Sequence, residues 1–239
     1  MALPVINQTP KFEMEIPSTK EVVKFRPYLV KEEKIMMMAI ESEDQNAAVA
    51  AVVDTIDACV EGGVDRSALT TFDVEYMFTQ IRTRSVGENA KVKLKCQAID
   101  CDHENDVQIE LDSIKVKFPE KEVTNEIKIS DDLSMVMKYP KYTQIVDSGV
   151  MANKSPTQQT FDMIAQCIEA VNTADESILF KDESHEDQMN FIESLTKDQL
   201  EQVQQYVEGM PKMVHDFKFT CAKCGHVNEV HLEGMQNFF

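Results

Sequence analysis

The sequence predicts an α+β protein with an N-terminal β-hairpin, a small helical bundle and a ribbon of two separated hairpins that carries a long mixed α/β insertion. Residues 11–26 alternate apolar and polar side chains around a Pro-Ser-Thr-Lys turn, which is typical of a hairpin. From residue 29 the apolar spacing lengthens to that of helices. Two cysteine pairs, at 96/101 and 221/224, each lie between strand-like segments.

We expect four segments along the chain. Residues 1–28 form the hairpin and residues 29–88 the helical bundle. Residues 89–118 and 214–239 form the two halves of the ribbon, and residues 119–213 form a mostly helical insertion between them. With 239 residues, either one large or two small domains bury a sizeable core.

Three helices are predicted in the bundle. The first begins at residue 29, and the second spans residues 44–60, with Ser42 or Asp44 as the cap and two glycines after its end. The third covers residues 71–84. Because residues 47–53 (AAVAAVV) are apolar on every side, we expect the first half of the second helix to be buried.

Strands are predicted at 91–96, 107–111, 114–118, 126–129, 134–139, 216–220 and 229–232. In the insertion, Ser155 with Gln158 and Thr196 with Gln199 have the spacing of capping boxes that begin helices. The first of these helices is expected to present Phe161, Ile164, Ile168 and Val171 on one face. The acidic stretch at 181–187 (KDESHED) is expected to be a solvated loop.

The ribbon is predicted from an internal echo. CDHENDV at 101–107 matches CGHVNEV at 224–230 at its Cys, His, Asn and Val positions. Each segment follows a strand that ends in another cysteine, as zinc knuckles do. Cys96, Cys101, Cys221 and Cys224 are therefore predicted to hold one structural Zn²⁺ with four sulfur ligands. The fold class is then α+β with a split four-cysteine zinc ribbon.

The alternatives to a metal site are two reduced hairpins with solvent-facing thiols, or a disulfide within one Cys pair. Catalytic zinc is disfavoured because four thiolates leave no open position for water or substrate. His103 and His226 each lie two residues after a Cys pair, where a histidine either replaces a cysteine ligand or donates hydrogen bonds. Cys59 and Cys167 lie in apolar helical stretches and are expected to be core residues.

Composition restricts the partners. The chain carries 24 basic and 42 acidic residues, a net charge of −18, which disfavours direct binding of nucleic acid and favours a partner with a basic patch. No apolar run approaches the roughly 20 residues that span a bilayer, and no secretory signal is expected. The sequence predicts a cytoplasmic protein, with its six cysteines reduced or metal-bound rather than in a disulfide framework.

No glycine loop, nucleophile elbow or metalloprotease motif occurs in the sequence, so no catalytic residue is assigned. Met36, Met37 and Met38 have two interpretations. They either pack in a helical core, which is the more frequent use, or line an adaptable surface that binds protein.

Several segments resemble a known family. They are LP at 3–4, TPKFE at 9–13, IPST at 16–19 and FRPYLVKEEK at 25–34. With the two Cys pairs, they are similar to the baseplate hub subunits and hub assembly proteins of T-even-type myoviruses. The four-residue spacing between Cys96 and Cys101 departs from the usual knuckle.

The resemblance implies a non-enzymatic phage tail protein that works through contacts with other baseplate proteins in a multi-subunit complex. It would lie in the host cytoplasm during assembly, and in the tail baseplate if it stays in the virion. The main alternative is a zinc-ribbon module bound to a transcription or replication complex. A hydrolase that uses the ribbon only as a scaffold is the third class.

Overall fold

The computed structural model describes residues 9–42, 44–119, 124–147 and 155–234. The strands are β1 (Phe12–Glu15), β2 (Val22–Phe25), β3 (Asn89–Lys95), β4 (Glu104–Glu110), β5 (Lys115–Lys117), β6 (Glu126–Lys128), β7 (Ser134–Met137), β8 (Ile168–Asn172), β9 (Ser177–Leu179), β10 (Lys212–Thr220) and β11 (Val227–Glu233). The helices are α1 (Val30–Glu41), α2 (Gln45–Cys59), α3 (Thr71–Val86), α4 (Tyr142–Asp147), α5 (Pro156–Cys167), α6 (His185–Glu193) and α7 (Lys197–Glu208). The predicted mixture of helices and strands is confirmed.

The chain divides into two compact units. The first comprises the described parts of Met1–Asp65, Phe72–Lys117 and Lys212–Phe239, and the second comprises those of Arg66–Thr71 and Phe118–Pro211. Leu3 and Pro4, and residues 235–239 of the second ribbon segment, lie outside the described residues. No helix in the described ranges is long and apolar enough to cross a membrane.

The predicted N-terminal hairpin is confirmed. Strands β1 and β2 pair antiparallel, with Phe12 opposite Phe25. In the turn between them, the backbone amide and hydroxyl of Ser18 donate to the buried carboxylate of Asp73 on α3, at 2.9 and 2.6 Å. These two bonds hold the hairpin turn against α3.

The second predicted helix begins where its cap indicated. The side chain of Asp44 accepts hydrogen bonds from the amides of Asn46 and Ala47 at 2.9 and 3.3 Å. After α2 ends, Gly62 and Gly63 adopt left-handed φ angles of 87° and 77°, which glycine reaches without steric cost. Helix α1 packs against α2.

The expected burial of residues 47–53 is wrong. Ala51 and Val53 are buried, but Ala50 is exposed and Ala47, Ala48 and Val49 are half-exposed. The neighbouring helix α1 covers only part of this apolar surface. An all-apolar stretch indicates that a helix needs cover but does not say which molecule supplies it.

The ribbon halves share a core in the first unit. Strand β10 pairs with β11 on one side and β5 on the other, and β3 pairs with β4. Beneath these strands lies a cluster of buried apolar side chains. Its members are Ala90, Ile109, Leu111, Ile114, Met213 and Leu232.

The second unit is a four-stranded antiparallel sheet, in the order β6-β7-β8-β9, packed with α5, α6 and α7. Both predicted capping boxes are confirmed. Ser155 accepts from the Gln158 amide at 3.3 Å while the Gln158 side chain accepts from the Ser155 amide at 3.1 Å. Thr196 and Gln199 make the equivalent pair at 3.4 and 2.8 Å.

The predicted helical face from Phe161 to Val171 is wrong in its second half. Helix α5 ends at Cys167, and Ile168 and Val171 belong to β8, which pairs with β7 and β9. Apolar residues at this spacing fit either a helix or a doubly buried strand. Residues 168–172 form a strand because β8 pairs with a neighbouring strand on each side.

The stretch at 181–187 is exposed to solvent as predicted, but the predicted loop conformation is wrong. A short 3₁₀ turn covers Phe180–Asp182, and α6 begins at His185. Ser184 caps this helix by accepting from the Asp187 amide at 3.1 Å. Glu186 and Asp187 lie in its first turn, where negative charge interacts favourably with the helix dipole.

Candidate metal centre

Two similar hairpins build the candidate metal centre. The paired part of each spans seven residues per strand. The echoed residues Asn105 and Asn228 occupy the same position in their hairpins, at the second pair from the loop. The echo in the sequence is therefore a structural repeat.

The first cysteine of each loop is fixed by the backbone. The Cys96 amide donates to the His103 carbonyl at 2.9 Å, and the Cys221 amide donates to the His226 carbonyl at 2.8 Å. Gly225 closes the second loop with a φ of 74°. The first loop runs from residue 96 to 103 and the second from 221 to 226, so the wider Cys spacing enlarges the first loop by two residues and keeps its closing bond.

The four cysteine sulfurs converge. All four lie within 4.8 Å of one another. Two of the short contacts join the hairpins, Cys96 Sγ to Cys224 Sγ at 3.7 Å and Cys101 Sγ to Cys221 Sγ at 3.8 Å. All four are free cysteines, so neither pair forms the disulfide considered from the sequence.

These distances fit a tetrahedral metal site. Four sulfurs at about 2.3 Å from one zinc ion would stand about 3.8 Å from each other. Cys96, Cys101 and Cys221 are buried, and Cys224 is exposed. The donor set is soft and complete, as in closed structural zinc sites.

Each hairpin also stabilises the loop of the other. The Asn228 side chain accepts from the Gln97 amide at 2.7 Å, and the Asn105 side chain accepts from the Ala222 amide at 2.9 Å. Each asparagine also donates to the carbonyl of the histidine in its own loop, His103 at 3.2 Å and His226 at 3.1 Å.

Asn105 and Asn228 are both buried, and their exchanged bonds orient the two loops towards one centre. Sequence reasoning assigned them no role. Their presence at the same place in both halves of the echo was the available signal.

The thiols of the cluster influence one another's ionisation. Amide hydrogen bonds, first that of Cys224, lower the pKa of Cys221 to about 6. The His226 amide acts in the same direction on Cys224, but desolvation and the three neighbouring thiols raise the pKa of Cys224 to about 12. Without a cation, a negative charge on one sulfur opposes ionisation of the other thiols. A bound divalent ion would instead favour ionisation of all four thiols.

The histidines lie outside the sulfur cluster. Within the described residues, the only group of potential metal ligands is the four cysteines. The backbone carbonyls of His103 and His226 close the two loops, as described above. The other two cysteines, Cys59 and Cys167, are buried core residues as predicted, and desolvation raises the pKa of their thiols to about 11 and about 12.

Comparison with known proteins identifies a family. A family model described as T4 bacteriophage base plate protein matches residues 9–239. No curated protein and no solved structure matches the chain.

Proposed function

The chain belongs to the T4 bacteriophage base plate protein family, and on this premise we propose that it is a non-enzymatic protein of the baseplate hub or of hub assembly. Membership of the family means that the chain is a phage baseplate protein and part of a multi-subunit complex. The hub assignment is supported by the hub-like segments at 9–13 and 25–34.

The observation that carries the proposal is the closed four-sulfur cluster in a baseplate protein. Four thiolates around one ion leave no position for substrate, so the site is suited to holding the fold rather than to catalysis. A chain with a net charge of −18 is suited to partners with basic surfaces.

We further propose that the cluster binds one structural Zn²⁺. The ion would join the β3–β4 hairpin to the β10–β11 hairpin, which are separated along the chain by the Phe118–Pro211 segment of the second unit. A structural zinc site contributes roughly 10–16 kcal/mol of apparent binding free energy. The ion would therefore hold together two hairpins that are distant in sequence.

The function is tested by infection with phage in which this gene carries a stop codon. The proposal predicts filled heads without complete baseplates in electron micrographs, and rescue when the protein is supplied from a plasmid. Complete tails combined with a loss of viral transcription or DNA synthesis would contradict the proposal and favour the zinc-ribbon module of those complexes. Mass spectrometry of purified particles then separates a virion component from an assembly factor.

A further inference from the structure

Helix α1 exposes most of its apolar side chains. Val30, Met37, Met38 and Ile40 are 78%, 56%, 59% and 69% exposed. Of the twelve residues of α1, Glu32 alone is buried. An apolar helix face of this kind typically marks a surface that binds another protein.

The packed and the open sides of α1 lie opposite each other. Glu32, Met36 and Ala39 are buried or half-buried and follow the spacing of one helix face. The opposite side, here called the open side, is formed by Val30, Lys34, Met37 and Glu41. These residues have the three- and four-residue spacing of one helix face.

The charges on the open side have a fixed order. Lys34 lies in the first half of the open side and Glu41 lies at its end. Of the other charged residues in the first half of α1, Lys31 pairs with Glu32 at 3.3 Å and Glu33 is exposed beside Lys34. Lys34 and Glu41 have no ion-pair partner within the part of the chain that the structure describes. Since seven residues span about 10 Å of helix, these two side chains do not neutralise each other along the helix.

The positions of Lys34 and Glu41 allow two antiparallel copies of α1 to pair their opposite charges. If a second copy of α1 lies antiparallel with its centre between Met37 and Met38, Lys34 of each copy faces Glu41 of the other. In the same register Met37 lies opposite Met38. One arrangement thus covers the two exposed methionines of this side and pairs Lys34 with Glu41 at both ends.

We propose that the open side of α1 is a homodimer interface, on which a second copy of this chain packs antiparallel, α1 against α1. Such an interface is isologous, because each copy contributes the same surface. Methionine side chains at its centre adapt to one another, and the Lys34–Glu41 pairs lie at its rim. The inference is independent of the hub assignment and of the metal.

The test is sedimentation velocity of the purified protein over a range of concentrations. The wild-type chain, 27.2 kDa, should sediment as a dimer at tens of micromolar. Lys34→Glu and Glu41→Lys each place like charges opposite one another at both ends of the interface. Each variant should raise the dimer Kd by about tenfold.

The decisive sample is an equimolar mixture of these two variants. The acidic face of the first then meets the basic face of the second, and dimers should return to the wild-type level. The double variant K34E/E41K should also recover, because its reversed pairs still attract. Lys197→Glu, which breaks an exposed ion pair on α7, is the matched control and should leave the Kd unchanged.

A wild-type chain that stays monomeric would overturn the proposal and leave the face to another baseplate protein or to residues 1–8. Dimers that persist in both single variants, or fail to return in the mixture, would overturn the antiparallel α1 register. Unchanged circular dichroism spectra will show that the variants are folded.

Discussion

The ribbon and the α1–α2 pair belong to the same compact unit but bury their side chains very differently. In the ribbon, two hairpins distant in sequence supply one another's hydrogen bonds, and three of the four cysteines are buried. In the helix pair, neighbouring segments pack on one side only, and apolar side chains on the other side face solvent. The difference indicates where the chain is complete by itself and where it presents a surface to a partner.

The largest effect is expected from removing a sulfur of the cluster. Cys101→Ser replaces a buried thiol that is suited to zinc and gives up a large part of the roughly 10–16 kcal/mol of a structural zinc site. We expect the first unit to lose its cooperative thermal transition and the protein to lose its zinc, as measured by calorimetry and elemental analysis. Cys59→Ala, a buried cysteine outside the cluster, should cost about 1 kcal/mol and keep the zinc. Equal losses in both variants would contradict the special role of the ribbon.

The next largest effect is expected from the exchanged asparagines. Asn228→Ala leaves the Gln97 amide without its acceptor and removes one of the two donors to the His226 carbonyl, which should destabilise the first unit by about 2–3 kcal/mol in chemical denaturation. Asn105→Ala removes the equivalent bonds from the other hairpin and should cost a similar amount. Because Asn228 is 0% and Asn105 7% exposed, Asn228 should be the more sensitive. A negligible cost for either would show that the hairpins do not depend on each other.

A smaller, pH-dependent effect is expected at the base of α1. Desolvation alone would raise the pKa of Glu32, but hydrogen bonds from Arg26 and the Leu29 amide outweigh it and lower the pKa below its ordinary 4.5. A lowered pKa in the folded state stabilises the protein at neutral pH, and this stabilisation disappears as the pH falls below 4.5.

Glu32→Gln should therefore cost about 1 kcal/mol at pH 7 and much less in acid. The check is the difference in melting temperature between variant and wild type across this range. Glu33→Gln, at the exposed neighbouring position, is the control for the loss of one negative charge from α1. A constant difference at every pH would exclude the charged Glu32 as the cause.

The smallest effect on stability is expected on the open side of α1. At dilutions where the protein is monomeric, Met38→Ala should change the free energy of unfolding by less than about 0.5 kcal/mol. Met213→Ala, in the ribbon core at 0% exposure, should cost about 2–5 kcal/mol. A large cost at Met38 in the monomer would mean that this side chain stabilises its own chain.

The parts of the fold that the sequence predicted well depend on local signals or on repetition. Capping boxes at Ser155 and Thr196 set the starts of two helices, because a helix cap is decided by residues within one turn. The echo around the Cys pairs predicted that the two hairpins meet, and the structure brings their four sulfurs together. The zinc ion stays a prediction.

The parts that were missed depend on partners far along the chain. The apolar spacing from Ile164 to Val171 fits a helix, but Ile168–Asn172 form a strand because they pair with β7 and β9. The capping side chain of Ser184 lay within an acidic stretch that composition indicated as a loop. The burial predicted for residues 47–53 of α2 was wrong in part, because an apolar pattern in one sequence does not indicate whether the residues that cover it belong to the same chain.

The central claim is that four distant sulfurs hold one zinc ion. X-ray absorption at the zinc edge, on protein purified without added metal, tests it most directly. The account predicts one zinc per chain surrounded by four sulfurs at about 2.3 Å. A protein free of metal, or a shell that contains nitrogen from His103 or His226, would contradict it.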